Sequence, residues 1–227
     1  MRKVRVRRLP FPLVWLAFTS LLYAQGPQAA LPAVTFTCDF PGSDPSHYTI
    51  SISSDGHGSY ASDGKFTRQS ESTADAPDRL EFRLSQAMSA HIFDLAKRAH
   101  YFQGEVDSGR KHLASTGTKT LSYRDAANDT QATYNYSAIP AVQDLTEFFQ
   151  NFSATLEFGR RIEYEYRFQK LALDDELKRM EQMQKLGSLA DLSAIAPTLQ
   201  KLLSDSSVMN VVRERAQRLL ALASAGK

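Results

Sequence analysis

The sequence predicts an α+β fold: an antiparallel sheet of about five or six strands carrying one packed helix, followed by a helical C-terminal module. Three observations lead there. Over residues 34–136 apolar and polar residues mostly alternate in short runs bounded by Gly, Pro, Asp and Asn, the pattern of strands with one buried face. Inside that region one stretch, residues 88–102, changes to the three/four spacing of an amphipathic helix. From Pro140 onward the helical period is the one that remains. The division into residues 25–138 and 139–227 is therefore a boundary of pattern rather than charge: the second part holds twelve acids and twelve bases, the first thirteen acids and ten bases.

Residues 1–24 stand outside this fold. Arg2, Lys3, Arg5, Arg7 and Arg8 form a basic start without an acid, and residues 13–23 are apolar apart from Thr19 and Ser20. A spanning helix needs about 20 apolar residues, and the run after Pro10 and Pro12 is only about a dozen. The expectation is a signal peptide cleaved after Ala24, which would make the chain a periplasmic or extracellular protein. Leu22, three positions before that cut, is larger than the small residue preferred there, so an uncleaved anchor is the alternative. Without an anchor the mature chain is expected to have no membrane span. Loss of residues 1–24 removes five of the 27 Lys/Arg and none of the 25 Asp/Glu, leaving a mature charge of −3. That argues against a nucleic-acid partner, which needs clustered positive charge. Cys38 is then a lone thiol, read as a buried small hydrophobe.

The first strand is VTFTCDF, residues 34–40, closed by the Pro41-Gly42 turn. In HYTISISSDGHGSY, residues 47–60, Tyr48, Ile50 and Ile52 share a face, and register decides the turn. A two-residue Asp55-Gly56 loop would put Tyr60 opposite Ser51, on the polar side. A three-residue loop, Ser54-Asp55-Gly56 with Gly56 left-handed, pairs Ile50 with Tyr60 and Ser53 with His57, keeping the large apolar groups together. The second register is expected, with Asp55 shaping the turn and His57 facing solvent. After a polar loop, residues 79–85 return as a strand with Leu80, Phe82 and Leu84 on one face. Ser85 caps a helix striped by Met88, Ile92, Leu95, Ala99 and Phe102 and stopped by Gly104. KTLSYRD and TQATYNYS are two more strands, with Leu121 and Tyr123 expected to face Tyr134 and Tyr136 across AANDT. Val142, Leu145, Phe149, Phe152 and Leu156 then mark a helix reaching Gly159, where a kink or short break is expected. A long charged amphipathic helix runs on to Gly187, and Asp205 separates two short final helices.

The chemistry-bearing residues form no catalytic constellation. His91 and His100 are nine positions apart, about 180° around a helix, and cannot share an ion. His47, His57 and His112 lack metal-ligand spacing, so neither a metal nor a cofactor is implied. Ser62-Asp-Gly-Lys65 and Ser108-Gly-Arg-Lys111 match Ser-x-x-Lys but lie in turn-rich sequence, not at a helix start. STGTKT, residues 115–120, is the densest hydroxyl-plus-cation stretch, yet Thr118 separates Gly117 from Lys119 and a strand follows, so it is no phosphate loop. Its simpler reading is a turn opened by Gly117. His112, Thr116, Gly117 and Lys119 nevertheless form the candidate ligand contact, because loops carry function more often than strands do. In FGRRIEYEYRF, Arg160, Arg161, Tyr164 and Arg167 are interface-type residues within two helical turns and form the candidate partner surface; their spacing wraps the helix, so part of the set is expected inside. Asn128, Asn135 and Asn151 open glycosylation sequons, which matter only in a eukaryotic secretory pathway.

Two resemblances accompany these readings. Residues 196–222 resemble a single HEAT-like helical hairpin through Pro197, Leu199, Leu203, Asp205, Val212, Arg213, Ala216 and Leu220. A solenoid needs about three repeats, so the resemblance implies a terminal hairpin packed on the long helix. The front part, with its YTISISSDGHGSY hairpin and LSQAMSAHIFDLAKRAHYF helix, is similar to uncharacterised exported bacterial α+β domains and implies no activity. The functional expectation is a non-enzymatic protein-binding module of the cell envelope. The alternative is a small-ligand binder or hydrolase-like enzyme with its site near residues 112–119.

Overall fold

The computed structural model describes residues 31–64, 79–110 and 114–225; the expected signal peptide, most of the loop after Asp63, and His112 lie outside the described residues. Among these residues six strands form one antiparallel sheet: β1 (Ala33–Asp39), β2 (His47–Ser53), β3 (His57–Ser62), β4 (Leu80–Arg83), β5 (Thr118–Arg124) and β6 (Asp129–Tyr134), in the order β4-β3-β2-β1-β5-β6. The α-helices are α1 (Gln86–Arg98), α2 (Pro140–Phe168), α3 (Leu173–Lys185), α4 (Ala196–Ser204) and α5 (Asn210–Ala225). The protein is of the α+β class, with a helical C-terminal part, and none of the described helices is long and apolar enough to cross a membrane.

The alternation in β1, β2 and β5 sorts side chains between two environments. Val34, Phe36, Cys38, Tyr48, Ile50, Ile52, Leu121 and Tyr123 point into the core. Their neighbours form a hydroxyl-rich outer face on which Thr35 bonds Ser51 at 3.0 Å, Thr37 bonds Thr49 at 3.2 Å and Thr120 bonds Thr133 at 3.1 Å. Ile50 pairs with Tyr60, and Gly56 has φ of 84°, as the three-residue turn requires. Asp55 Oδ1 accepts the His57 N–H at 3.1 Å, which fixes that turn.

Both α1 and the first half of α2 cover the inner face. Phe149 stacks on Phe36 with ring centroids 5.0 Å apart, and Phe152 meets Phe82 edge-on at 4.9 Å. Ser85 caps α1 by accepting the Met88 N–H at 3.2 Å, and Ile92, Leu95, Ala99 and Phe102 are buried. The hydrophobic core runs continuously from Val34 to Ala223, so the change of pattern near residue 138 separates element types, not cores.

Four local expectations are corrected. Helix α1 stops at Arg98 rather than at Gly104, because His100, Tyr101 and Phe102 take left-handed φ values of 50°, 53° and 64°. Such backbone costs roughly 1–2 kcal/mol per residue; it is held by the burial of Phe102, by Tyr101 packing on Tyr123 at 4.5 Å, and by Thr130 Oγ1 donating to Tyr101 O at 2.5 Å. In the β5–β6 hairpin Leu121 pairs with Ala132 and Tyr134 with Lys119, because Asp125 Oδ1 accepts the N–H groups of Ala127 and Asn128, both at 2.7 Å, and so sets the turn one residue earlier than AANDT. Helix α2 passes Gly159 unbroken; a Cβ there would lie 2.6 Å from Ile195 Cγ2, so this glycine serves close packing. The expected long charged helix breaks instead at Gln169 (φ −145°, ψ 53°), ahead of a short 3-10 turn and α3.

Candidate functional site

The STGTKT stretch folds around its own lysine. Lys119 falls on the core face of β5, opposite Cys38 and Tyr134, and is 3% exposed. Its Nζ donates to Thr116 Oγ1 at 2.8 Å, Asn135 O at 2.9 Å and Gly117 O at 3.1 Å. An ammonium has three donors, so all three are used within the chain. Burial pulls the Lys119 pKa down, with a smaller opposing effect from Cys38. Gly117 has φ of 91°, and a Cβ on it would lie 2.9 Å from Asp39 O, which ties this glycine to the turn. Thr116, Gly117 and Lys119 are thus brought together, as a closed knot that seals one end of the sheet.

The described histidines do not converge. His47 Nδ1 lies 2.5 Å from Asp39 Oδ1 on the surface, His57 Nε2 lies 3.0 Å from an Arg83 nitrogen, and His91 and His100 are exposed. Among the described residues no group of three or more His, Cys, Asp or Glu is placed to hold a metal ion. Cys38 is buried, which pushes its thiol pKa up.

The arginines of α2 divide between interior and surface. Arg160 donates to Glu157 Oε1 at 2.8 Å and also bonds Ser62 Oγ; that carboxylate oxygen further accepts Tyr60 OH at 2.8 Å and Ser62 Oγ at 2.5 Å. Glu157 is 3% exposed, so this is a buried ion pair with its hydrogen bonds supplied from β3. Ser62 was a readable signal, because it shares the inward parity of Tyr60. Arg161 Nε donates to Glu176 Oε1 at 2.6 Å, and Arg179 also bonds Glu176 at 2.9 Å. Glu165, buried beside them, keeps Oε2 without a hydrogen-bond partner among the described residues. Burial first, and then Glu176, push its pKa to about 7, against the pull of Arg161 and Arg179.

Tyr164 and Arg167 lead instead to the bend between α2 and α3. Tyr164 packs on Phe168 at 5.0 Å, and Arg167 pairs with Glu163 at 2.8 Å while remaining 61% exposed. Beyond them Phe168 is 69% and Leu171 82% exposed. Lys170 Nζ ties the bend to the α4–α5 loop, bonding Asp205 Oδ2 at 3.0 Å and Ser207 Oγ at 2.6 Å, and Tyr166 OH donates to Asp205 Oδ2 at 2.8 Å. The half-exposed Met209 and Val211 follow that loop, so the same end of the helical part presents four large apolar side chains. Large contiguous exposed apolar patches mark protein or membrane interaction sites or ligand-binding grooves.

No protein-family model matches the chain, and no curated protein is similar to it.

Proposed function

We propose that the chain is exported and acts in the cell envelope as a non-enzymatic protein-binding module whose partner docks on the α2–α3 bend. The observation that carries this reading is the exposure of Phe168 and Leu171, three positions apart in the chain, on a bend fixed by the Lys170–Asp205 and Tyr166–Asp205 bonds. A pre-positioned apolar pair loses little entropy on binding, and a rim of Arg167, Lys170 and Lys201 already paired with acids leaves the centre uncharged. The alternative site near residues 112–119 gains no support from Lys119, whose donors are all satisfied inside the chain.

Two measurements test the proposal. A tagged chain recovered from fractionated cells is expected in the envelope or medium with the mass of residues 1–24 removed; the full-length mass in the cytoplasm would refute export. A photo-crosslinking residue at position 171 is expected to give one discrete protein adduct, absent when placed at the exposed Glu105 and lost on Phe168→Ser. Equal adducts at both positions, or none, would refute the docking surface.

A further inference from the structure

The two edges of the sheet differ. At one end β4 is short, Leu80–Arg83, and carries the charged Glu81 and Arg83. Shortness and charge are common guards against pairing with a further strand. At the other end β6, Asp129–Tyr134, has neither Pro nor Lys, and its pairing with β5 runs without a bulge from Tyr134 opposite Lys119 to Asp129 opposite Arg124. Its one charge, Asp129, is already paired with Arg124 at 3.1 Å.

The ladder fixes which backbone groups of β6 face outward. Asp125 donates its N–H to Asn128 O at 2.8 Å, so these two residues form a hydrogen-bonded pair, and in an antiparallel ladder such pairs alternate with unbonded ones. Thr130, Ala132 and Tyr134 therefore bond β5, and the N–H and C=O groups of Asp129, Gln131 and Thr133 turn away from it. Asn135 continues the outward series, and its N–H goes to Asp107 Oδ2 at 2.7 Å, which closes the edge beyond Thr133. Asp129, Gln131 and Thr133 are exposed, and among the described residues no strand and no backbone hydrogen bond meets their outward groups.

We infer that this edge pairs with itself: two copies of the chain join their β6 strands antiparallel about a two-fold axis at Gln131, which makes one sheet continuous through both. The open stretch is symmetric about Gln131, so that axis gives every outward N–H and C=O of one strand a counterpart on the other. The side chains agree with this register. Gln131 meets Gln131 of the second copy, and each amide offers both a donor and an acceptor. Asp129 meets Thr133 of the second copy, carboxylate against hydroxyl. Thr133 Oγ1 lies 3.1 Å from Thr120 Oγ1, and either oxygen can donate there, so the Thr133 hydrogen is available to Asp129. The neighbouring registers are worse. An axis at Asp129 sets two carboxylates against each other, and an axis at Thr133 draws in Asn135, whose N–H is already held by Asp107. An unrelated extended strand would make the backbone bonds without this side-chain match, so the occupant is a second copy. None of these residues belongs to the α2–α3 bend, and the inference stands apart from the docking surface.

The test is sedimentation equilibrium of the chain as recovered from cells, over a wide range of concentration. The mass is expected to rise from one chain toward two. Gln131→Pro removes the N–H at the axis, at an edge position where Pro is tolerated, and is expected to weaken association at least about tenfold. Gln131→Lys and Gln131→Glu alter an exposed side chain and serve if the Pro variant fails to fold. Each alone places like charges across the axis and is expected to stay monomeric, whereas an equal mixture of the two is expected to form the mixed dimer. A natural chain that is monomeric at every concentration, including one that takes up a foreign strand instead, would overturn the inference. So would association that survives all three substitutions, or a mixture of the Lys and Glu variants that pairs no better than either alone.

Discussion

Replacing Glu165 by Gln is expected to stabilise the protein at alkaline pH and to change little at acid pH. Glu165 is 8% exposed, and both nearby arginines bond Glu176, so its own charge is poorly compensated. The pKa rises from the ordinary 4.5 to about 7. At about 1.4 kcal/mol for each pKa step, that corresponds to about 3 kcal/mol. The sign follows from proton binding. The folded chain holds this proton more tightly than the unfolded chain, so the associated stability is full below pH 4.5 and is lost as pH rises through 7. Gln cannot ionise and removes that loss. The difference in unfolding free energy between Glu165→Gln and the natural chain should therefore grow by about 2–3 kcal/mol between pH 5 and pH 8.5. In a domain of this size that is about 5–10 °C in Tm.

Urea unfolding followed by circular dichroism at both pH values reads this directly, because pH-independent effects of the amide cancel in the comparison. Glu176→Gln supplies the contrast. It strips the partner from Arg161 and Arg179 and should destabilise the protein at both pH values. An equal effect of Glu165→Gln at the two pH values, within about 0.5 kcal/mol, would refute the argument that this carboxylate is ionised at a cost.

Three further outcomes are expected. Glu157→Leu removes the oxygen that accepts from Arg160, Tyr60 and Ser62 and should cost about 1–3 kcal/mol by urea unfolding, the scale of leaving buried donors unmatched. Gly159→Ala places a methyl 2.6 Å from Ile195 Cγ2 and should cost about 1–3 kcal/mol although alanine favours helix, a cost that shrinks in an Ile195→Ala background. Cys38 should resist alkylation in the native protein at pH 8 and react fully in urea, as mass spectrometry would show, since burial both shields the thiol and raises its pKa.

The parts of the fold legible in the sequence are those governed by neighbours along the chain. The β2–β3 register follows from keeping Tyr48, Ile50, Ile52 and Tyr60 on one face, and the Ser85 cap and the separation at Asp205 rest on residues within one turn of the feature they set. Gly159 was misleading for the opposite reason: helix propensity sees a weak point, whereas the glycine is placed for Ile195, 36 positions away. The β5–β6 register departs from the facing of Leu121 and Tyr123 with Tyr134 and Tyr136 because Asp125 shapes the turn. Site residues divide the same way. Arg160 and Arg161 have the composition of an interface, but Ser62 lies 98 positions from Arg160 and Glu176 lies 15 from Arg161; strand parity turns Ser62 inward, yet no local period reports which arginine meets either partner.

Magnitudes limit what the proposed docking surface can be. Fully burying Phe168 and Leu171 would supply about 3–6 kcal/mol, at about 1.5–3 for each side chain. Association costs about 4–15 kcal/mol before any contact is counted. The pair alone therefore gives no stable complex, and a partner has to reach further. Along the chain the neighbouring exposed groups are polar and the charged ones are already paired, as with Arg167 and Glu163; rim ion pairs of that kind add little. Further exposed apolar area is at Met209 and Val211, which follow the loop that Lys170 bonds through Asp205 and Ser207. A partner that bridges the two segments depends on that lysine for geometry rather than for charge. Lys170→Met, which keeps the length of the stem and loses the bonds, should then weaken the complex about as much as the loss of Leu171, whereas Arg167→Met should scarcely affect it.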